Sequence, residues 1–441
     1  MKQYLLLFFI FFISTILKSE YSISLEKAIE TARENNLSLQ SSFYQMESAK
    51  WAYQNSRTQF LPKINFTETA VFFDEEIYLD FGFGAFPLQE KQNFISTLQV
   101  EQVLFAGGRL FNAHQISRLQ YEISQNSYQK MLMDIDSKVT EYYYLLLQTL
   151  STLEILNLHL ALCQDLRSNS ETLYNNGIGL QTDVLQWDLR IIEIENQRNE
   201  LSNVLVNIEQ LWALVLGIND IYDIPVPEII LIDEILNEIR EFSELDNKVK
   251  KNKMDEFINK VRENNFDLKN LEKTRETMNY MRKISKAEFL PTVFASLNYE
   301  LANERKLTLD GDRNWQIMAN ISIPIFHGFR NVTNYRVSHY QLESQKMNLE
   351  EGKRGLEIQA RQVWFDFESS VNNVFQYEKH YTLAERSLNI VRTLHEQGMT
   401  TNIALTDAQN STLVSNIQFI NSIYDFVNKK NKLINMVGGV E

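Results

Sequence analysis

One cysteine, six prolines and fourteen glycines in 441 residues leave little material for a disulfide scaffold or a loop-rich sandwich. Cys163 stands alone, so neither an internal disulfide nor a cysteine-rich zinc site is open to the chain. Cations are also in short supply. The 43 Lys and Arg face 57 Asp and Glu, a net charge of −14, where a nucleic-acid surface needs clustered positive charge. No uninterrupted apolar run of about eighteen residues follows the N-terminus, so no helix is expected to span a membrane. Catalytic signatures are missing as well. His114, His159, His327, His339, His380 and His395 show no HExxH or other metal spacing, and no GxSxG turn occurs. Ala106-Gly107-Gly108-Arg109 lacks the frame of a phosphate loop. The carboxylates follow only helical surface spacing. We expect no enzyme, no cofactor, no metal and no nucleic-acid partner.

What is present begins with an export address. Residues 1–19 combine Lys2 with an apolar stretch from Leu5 to Leu17 and read as a signal peptide. No cysteine stands at the cleavage site to carry a lipid, so an N-terminally acylated lipoprotein is not expected.

Long helices follow. Residues 109–176 contain neither glycine nor proline, a run that would extend about 100 Å if wholly helical. Within it Val139, Leu146, Leu153 and Leu160 recur every seven residues, with Tyr142, Thr149, Leu156 and Cys163 at the second seam position. Trp187, Ile194, Leu201, Ile208 and Val215 repeat the spacing beyond the turn Asn175-Asn176-Gly177-Ile178-Gly179. So short a turn makes the two helices an antiparallel hairpin. The seam also makes Cys163 a packing residue.

The chain is written twice. Arg33-Glu34-Asn35-Asn36-Leu37-Ser38-Leu39 returns as Arg262-Glu263-Asn264-Asn265-Phe266-Asp267-Leu268, and Phe60-Leu61-Pro62 as Phe289-Leu290-Pro291. Phe105-Ala106-Gly107-Gly108-Arg109 matches Phe326-His327-Gly328-Phe329-Arg330, Gly177 matches Gly398, and Gly217 matches Gly438. Between the FLP and FxGxR landmarks the period changes to two. Ile64, Phe66, Ala70 and Phe72 alternate with polar residues, Glu68 being the misfit; Phe94, Leu98 and Val100 do the same. Val293 to Leu301 and Trp315 to Ile323 repeat the pattern in the second copy. Alternation over about ten residues is the pattern of transmembrane β-strands, the alternative being two soluble hairpins packed on the helices. Four strands cannot close a barrel, and open edges in lipid leave backbone groups unsatisfied. Oligomerisation is therefore expected, three copies giving twelve strands.

The resulting division is a signal peptide at 1–19, a first repeat at 20–218, a linker and equatorial segment at 219–255, and a second repeat at 256–441. Strands are expected at about 62–73, 93–104, 291–301 and 314–325, and helical hairpins at about 109–216 and 330–437. The loop 74–91 is expected to be extracellular.

These landmarks resemble the outer-membrane efflux proteins, the TolC-like channel-tunnels. The likeness rests on Ser24-Leu25-Glu26-Lys27-Ala28-Ile29 leading to Glu34-Asn35-Asn36, the paired FLP and FxGxR motifs and the two glycine turns. It implies an α+β membrane protein, a homotrimer with a twelve-stranded β-barrel in outer-membrane lipid and a periplasmic α-barrel of long hairpins. It further implies an exit duct for drugs, toxins or proteins, in a tripartite efflux or type I secretion system. The partners would be a periplasmic adaptor and an inner-membrane pump of RND or ABC type. The competing readings are a periplasmic coiled-coil adaptor or a scaffold, neither of which explains four lipid-compatible strands.

Residue by residue, the resemblance assigns Thr182, Asp183, His395, Thr400 and Asp407 to the periplasmic entrance. Gly177, Ile178, Gly179, Leu180, Gly398 and Met399 become the adaptor-contacting tips. His395 stands where the family has a tyrosine, Thr400 where it has an arginine, and Ala404 where it has one of two aspartates. A charge-assisted link is roughly twice as strong as a neutral one, so losing the arginine implies a looser tip. A local alternative for Thr182 and Asp183 is helix capping. For Asp407 it is a place on the outer face of its helix.

Overall fold

The computed structural model describes residues 22–80, 82–89, 91–218, 224–228, 232–303 and 312–438. The signal-peptide reading of residues 1–19 lies outside them, as do parts of 74–91 and of 219–255. In chain order the elements are β1 (Ser22–Ile23), α1 (Leu25–Asn35), α2 (Leu37–Thr58), β2 (Lys63–Phe72), β3 (Ile77–Asp80), β4 (Ala85–Gln89) and β5 (Gln92–Ala106). Then come α3 (Arg109–Asn175), α4 (Gln181–Leu216), β6 (Val226–Pro227), α5 (Ile232–Ser243), α6 (Asn247–Asn264) and α7 (Phe266–Ala287). The chain closes with β7 (Thr292–Asn303), β8 (Asp312–Ser322), α8 (Arg330–Glu396) and α9 (Asn402–Val437). Two compact units form. One holds residues 22–43, 127–266 and 353–438; the other holds 44–126 and 267–352.

The second unit is built on an antiparallel sheet of order β2-β5-β7-β8. Because side chains alternate across a strand, its register sorts residues by face. Ile64, Val100, Leu297 and Ile317 form one cross-strand row, and Phe66, Leu98, Tyr299 and Trp315 the next. The opposite face carries Asn65, Gln99, Asn298 and Gln316. The apolar rows are open: Ile64, Phe66, Trp315 and Ile317 are each about two-thirds exposed. Glu68, the misfit on this face, accepts a hydrogen bond from Ser96 Oγ on the neighbouring strand. Among the described residues β2 and β8 have no further strand partner, so both sheet edges are bare.

Residues 74–91 are not a plain loop, since β3 and β4 pair there as a small antiparallel hairpin. Beneath the sheet, Gly107 (φ +60°) packs where a Cβ would lie 2.9 Å from that of Leu290. Its repeat mate Gly328 also has φ +60°. The following pair differs. Gly108 has φ +82°, whereas Phe329 is held at +62°, the one non-glycine described with positive φ. The Phe329 ring meets Phe326 edge-on at 5.5 Å.

The first unit is a helical assembly with β1 and β6 paired in parallel. Residues 219–255 hold β6, α5 and the start of α6. α5 is amphipathic: Ile232, Ile235, Leu236, Ile239 and Phe242 pack on Phe367, Val371, Val374, Ile423 and Phe426. Val139, Leu146, Leu156, Leu160 and Cys163 of the α3 seam are all buried, with Thr149 among them. Against the expectation of no such helix, one stretch of α3 is long and apolar enough to cross a membrane, as the core helix of a folded protein also can be. Within α3, Tyr143, Leu146 and Leu147 pack with Ala28, Ala32, Trp212 and Leu216. Trp212 Nε1 donates to the Pro225 carbonyl at 3.0 Å.

The duplication reappears in contacts. Arg33 makes a two-pronged bridge to Asp136, and Arg262, its repeat mate, pairs with Glu357. Gly217 ends α4 with φ +72°, where a Cβ would fall 2.5 Å from the Asn35 carbonyl oxygen. Gly438 ends α9 in the same left-handed way against Asn264.

Candidate functional site: the two helical turns

Both hairpins turn through one motif. At the end of α3, Gly177 N–H donates to the Tyr174 carbonyl and Ile178 N–H to that of Leu173. At the end of α8, Gly398 N–H donates to the His395 carbonyl and Met399 N–H to that of Leu394. Each is a helix terminus closed by a left-handed glycine, with φ +74° and +70°, which gives carbonyls of the last turn a backbone partner. Gly179 is required for a different reason. A Cβ there would meet the Tyr174 nitrogen at 2.8 Å. The residues after the glycines are presented outward, with Ile178 79% and Met399 72% exposed. Leu180 is exposed as well.

The helices that leave the turns start differently. α9 has a side-chain cap, Thr401, whose Oγ1 accepts from the Ala404 N–H at 3.3 Å. α4 has none, because Leu180 occupies the cap position. Thr182 and Asp183 therefore do not cap α4, which corrects the local alternative considered for them. Thr182 is exposed and Asp183 half-buried, within the first turn, where a carboxylate complements the helix dipole. His395 and Thr400 are half-buried, and Asp407 is exposed on α9. Among the described residues neither Asp183 nor Asp407 takes part in an ion pair.

What joins the two hairpins near the turns was not singled out by the sequence reading. Asn402, 5% exposed, accepts from Trp187 Nε1 at 2.9 Å and donates to Gln186 Oε1 and to the Asp183 carbonyl. Deeper in, Arg190 of α4 donates to Gln409 Oε1 and Asn410 Oδ1 of α9 and to Glu193 on its own helix. Gln409 is fully enclosed and reaches His159 Nδ1 of α3 at 3.2 Å. Burial, reinforced by the Arg190 charge, pushes the His159 pKa down to about 4, so the ring is neutral at pH 7. Burial also lifts the Cys163 thiol to about 11, leaving it unreactive. One signal was present in the sequence. Asn402 and Gln409 are seven residues apart, polar residues at positions where a helix seam expects apolar ones.

This geometry can be set beside known proteins. The family model described as outer membrane efflux protein matches residues 28–213 and 257–439, one segment for each repeat. This chain belongs to that family. It is accordingly a transport duct of the outer membrane and not an enzyme. Solved structures share the efflux-protein fold at low identity. The CusC channel is 16% identical, with a TM-score of 0.81, covering 97% of this chain and 96% of that one. The VceC outer membrane protein of Vibrio cholerae is 15% identical with a TM-score of 0.79, covering 94% and 96%. The CmeC outer membrane channel of Campylobacter jejuni is 15% identical, also at 0.79, covering 94% and 85%. No curated protein matches the chain.

Proposed function

We propose that this efflux protein is the passive exit duct of a tripartite efflux or type I secretion system, carrying small molecules or proteins across the outer membrane. The observation that carries the reading is the four-stranded sheet, with one exposed apolar face and two bare edges. Such a sheet is unsatisfied alone in lipid, and three copies joined edge to edge make a closed twelve-stranded barrel. The long hairpins then continue the duct on the periplasmic side as an α-barrel.

In this assembly Thr182, Asp183, His395, Thr400 and Asp407 belong to the entrance. The outward residues Ile178, Leu180 and Met399, with Gly177, Gly179 and Gly398 shaping the turns, meet a periplasmic adaptor. That adaptor links the duct to an inner-membrane pump of RND or ABC type. Three-fold symmetry turns one inward Asp407 into a ring of three carboxylates, which favours cations.

Single-channel recording of the purified trimer in a planar bilayer under a salt gradient tests the reading. Discrete, cation-preferring steps are expected. Folded trimers that never insert would overturn the duct. Asp407→Asn is expected to lower cation preference without changing insertion, and unchanged selectivity would remove Asp407 from the pore wall.

A further inference from the structure

Arg190 is a buried cation whose partners are mostly neutral. Its side chain is 9% exposed, and among the described residues its one carboxylate partner, Glu193, lies 60% exposed on the same helix. The contacts that leave α4 go to two amides of α9, Gln409 and Asn410. Gln409 passes the connection to neutral His159, which accepts from its Nε2 on the third helix, α3. The cluster lies eleven residues beyond both Gly179 and Gly398, three turns inward from the hairpin tips.

Apolar seams tolerate sliding. Leu405 and Leu413 sit in an apolar cluster with Leu156, Leu160 and Ile194, and such contacts are non-directional. A buried guanidinium does not tolerate it, because losing its amide acceptors leaves Nε and one Nη desolvated without partners, Glu193 answering only the other Nη. Polar groups at seam positions fix register in this way in other helical assemblies. Asn402 adds an uncharged layer nearer the tip, bonded to Trp187 and Gln186.

We infer that Arg190, with Gln409 and Asn410, positions α9 against α4 and thereby sets the aperture of the channel entrance. The inference rests on the duct reading above and names a device within it. It places the cation that restrains the tip on α4, inside one protomer, and not at Thr400 on the turn. α9 carries Asp407, so a shift of this helix moves the entrance wall with it.

Two measurements on the full-length trimer test the inference. In detergent, amide hydrogen exchange over residues 402–412 is expected to quicken about tenfold in Arg190→Met, with residues 424–437 unchanged. In bilayers the same variant is expected to raise open probability about tenfold, with Arg190→Lys in between because an ammonium cannot fork to two amides. Asn410→Ala removes one exposed acceptor and serves if Arg190→Met does not assemble; a smaller shift in both readouts is expected. Wild-type exchange rates in these variants would overturn the tie. Faster exchange with unchanged channel behaviour would overturn the control of aperture. If wild-type trimers themselves never insert, the duct reading fails and the aperture role with it, while the exchange result still judges the tie.

Discussion

Ile317→Arg is expected to abolish stable insertion of the trimer, while Gln316→Arg one residue away leaves it intact. The two positions are neighbours on β8 but face opposite sides of the sheet. Ile317 is 68% exposed in a row with Ile64, Val100 and Leu297. On the lipid face of the proposed barrel a cation near the midplane costs about 2–4 kcal/mol, repeated in each protomer of the proposed trimer. Gln316 lies with Asn65, Gln99 and Asn298 on the polar side, where an arginine meets water. Heat-sensitive trimer migration from membranes of the two variants decides the matter. Equal loss in both would mean the faces have been assigned wrongly.

Trp212→Ala is expected to lower the stability of the helical unit by about 3–5 kcal/mol. The indole is fully buried, meets Tyr143 edge-on at 6.0 Å, and donates to the Pro225 carbonyl. Removing it opens a cavity among α1, α3 and α4 and strands that carbonyl. Trp212→Phe fills most of the space and should lose about 1–3 kcal/mol for the missing donor. Denaturation in detergent, followed by circular dichroism, gives both values. Leu214→Ala, at a position 69% exposed, is the comparison. A Trp212→Ala loss no larger than that of Leu214→Ala would show that this core does not hold the helices.

The features that could be read from the sequence were those governed by local rules. Gly177 and Gly398 mark the two turns because each backbone needs a positive φ there. Alternation at 64, 66, 70 and 72 coincides with β2, since a pleated strand enforces a period of two. β3 and β4 were not legible, as the Gly82 to Gly84 stretch breaks any alternation between them. α5 is obscured by the mixed apolar and charged composition of 219–255, although Ile232, Ile235, Leu236 and Ile239 carry helical spacing. Thr401 caps α9 without a capping-box signature, since Ala404 stands where a Glu or Gln would mark the helix start. The Arg190 cluster could not be read at all in its partners. Gln409 and Asn410 are 219 and 220 residues away, and only the packing of two hairpins brings them together.

The bare edges of β2 and β8 have a consequence for how the protein is made. Every unpaired edge group left in hydrocarbon costs several kcal/mol, so on the barrel reading a single protomer has no stable membrane state. Insertion and assembly then become one kinetic event, whose rate climbs steeply with the number of protomers waiting on the periplasmic side. A cell short of chains would hold them outside the bilayer, exposed to proteases, and would gain no small leaky pores from incomplete rings. On that reading the same edges that demand partners act as a quality threshold, by which a ring inserts whole or not at all.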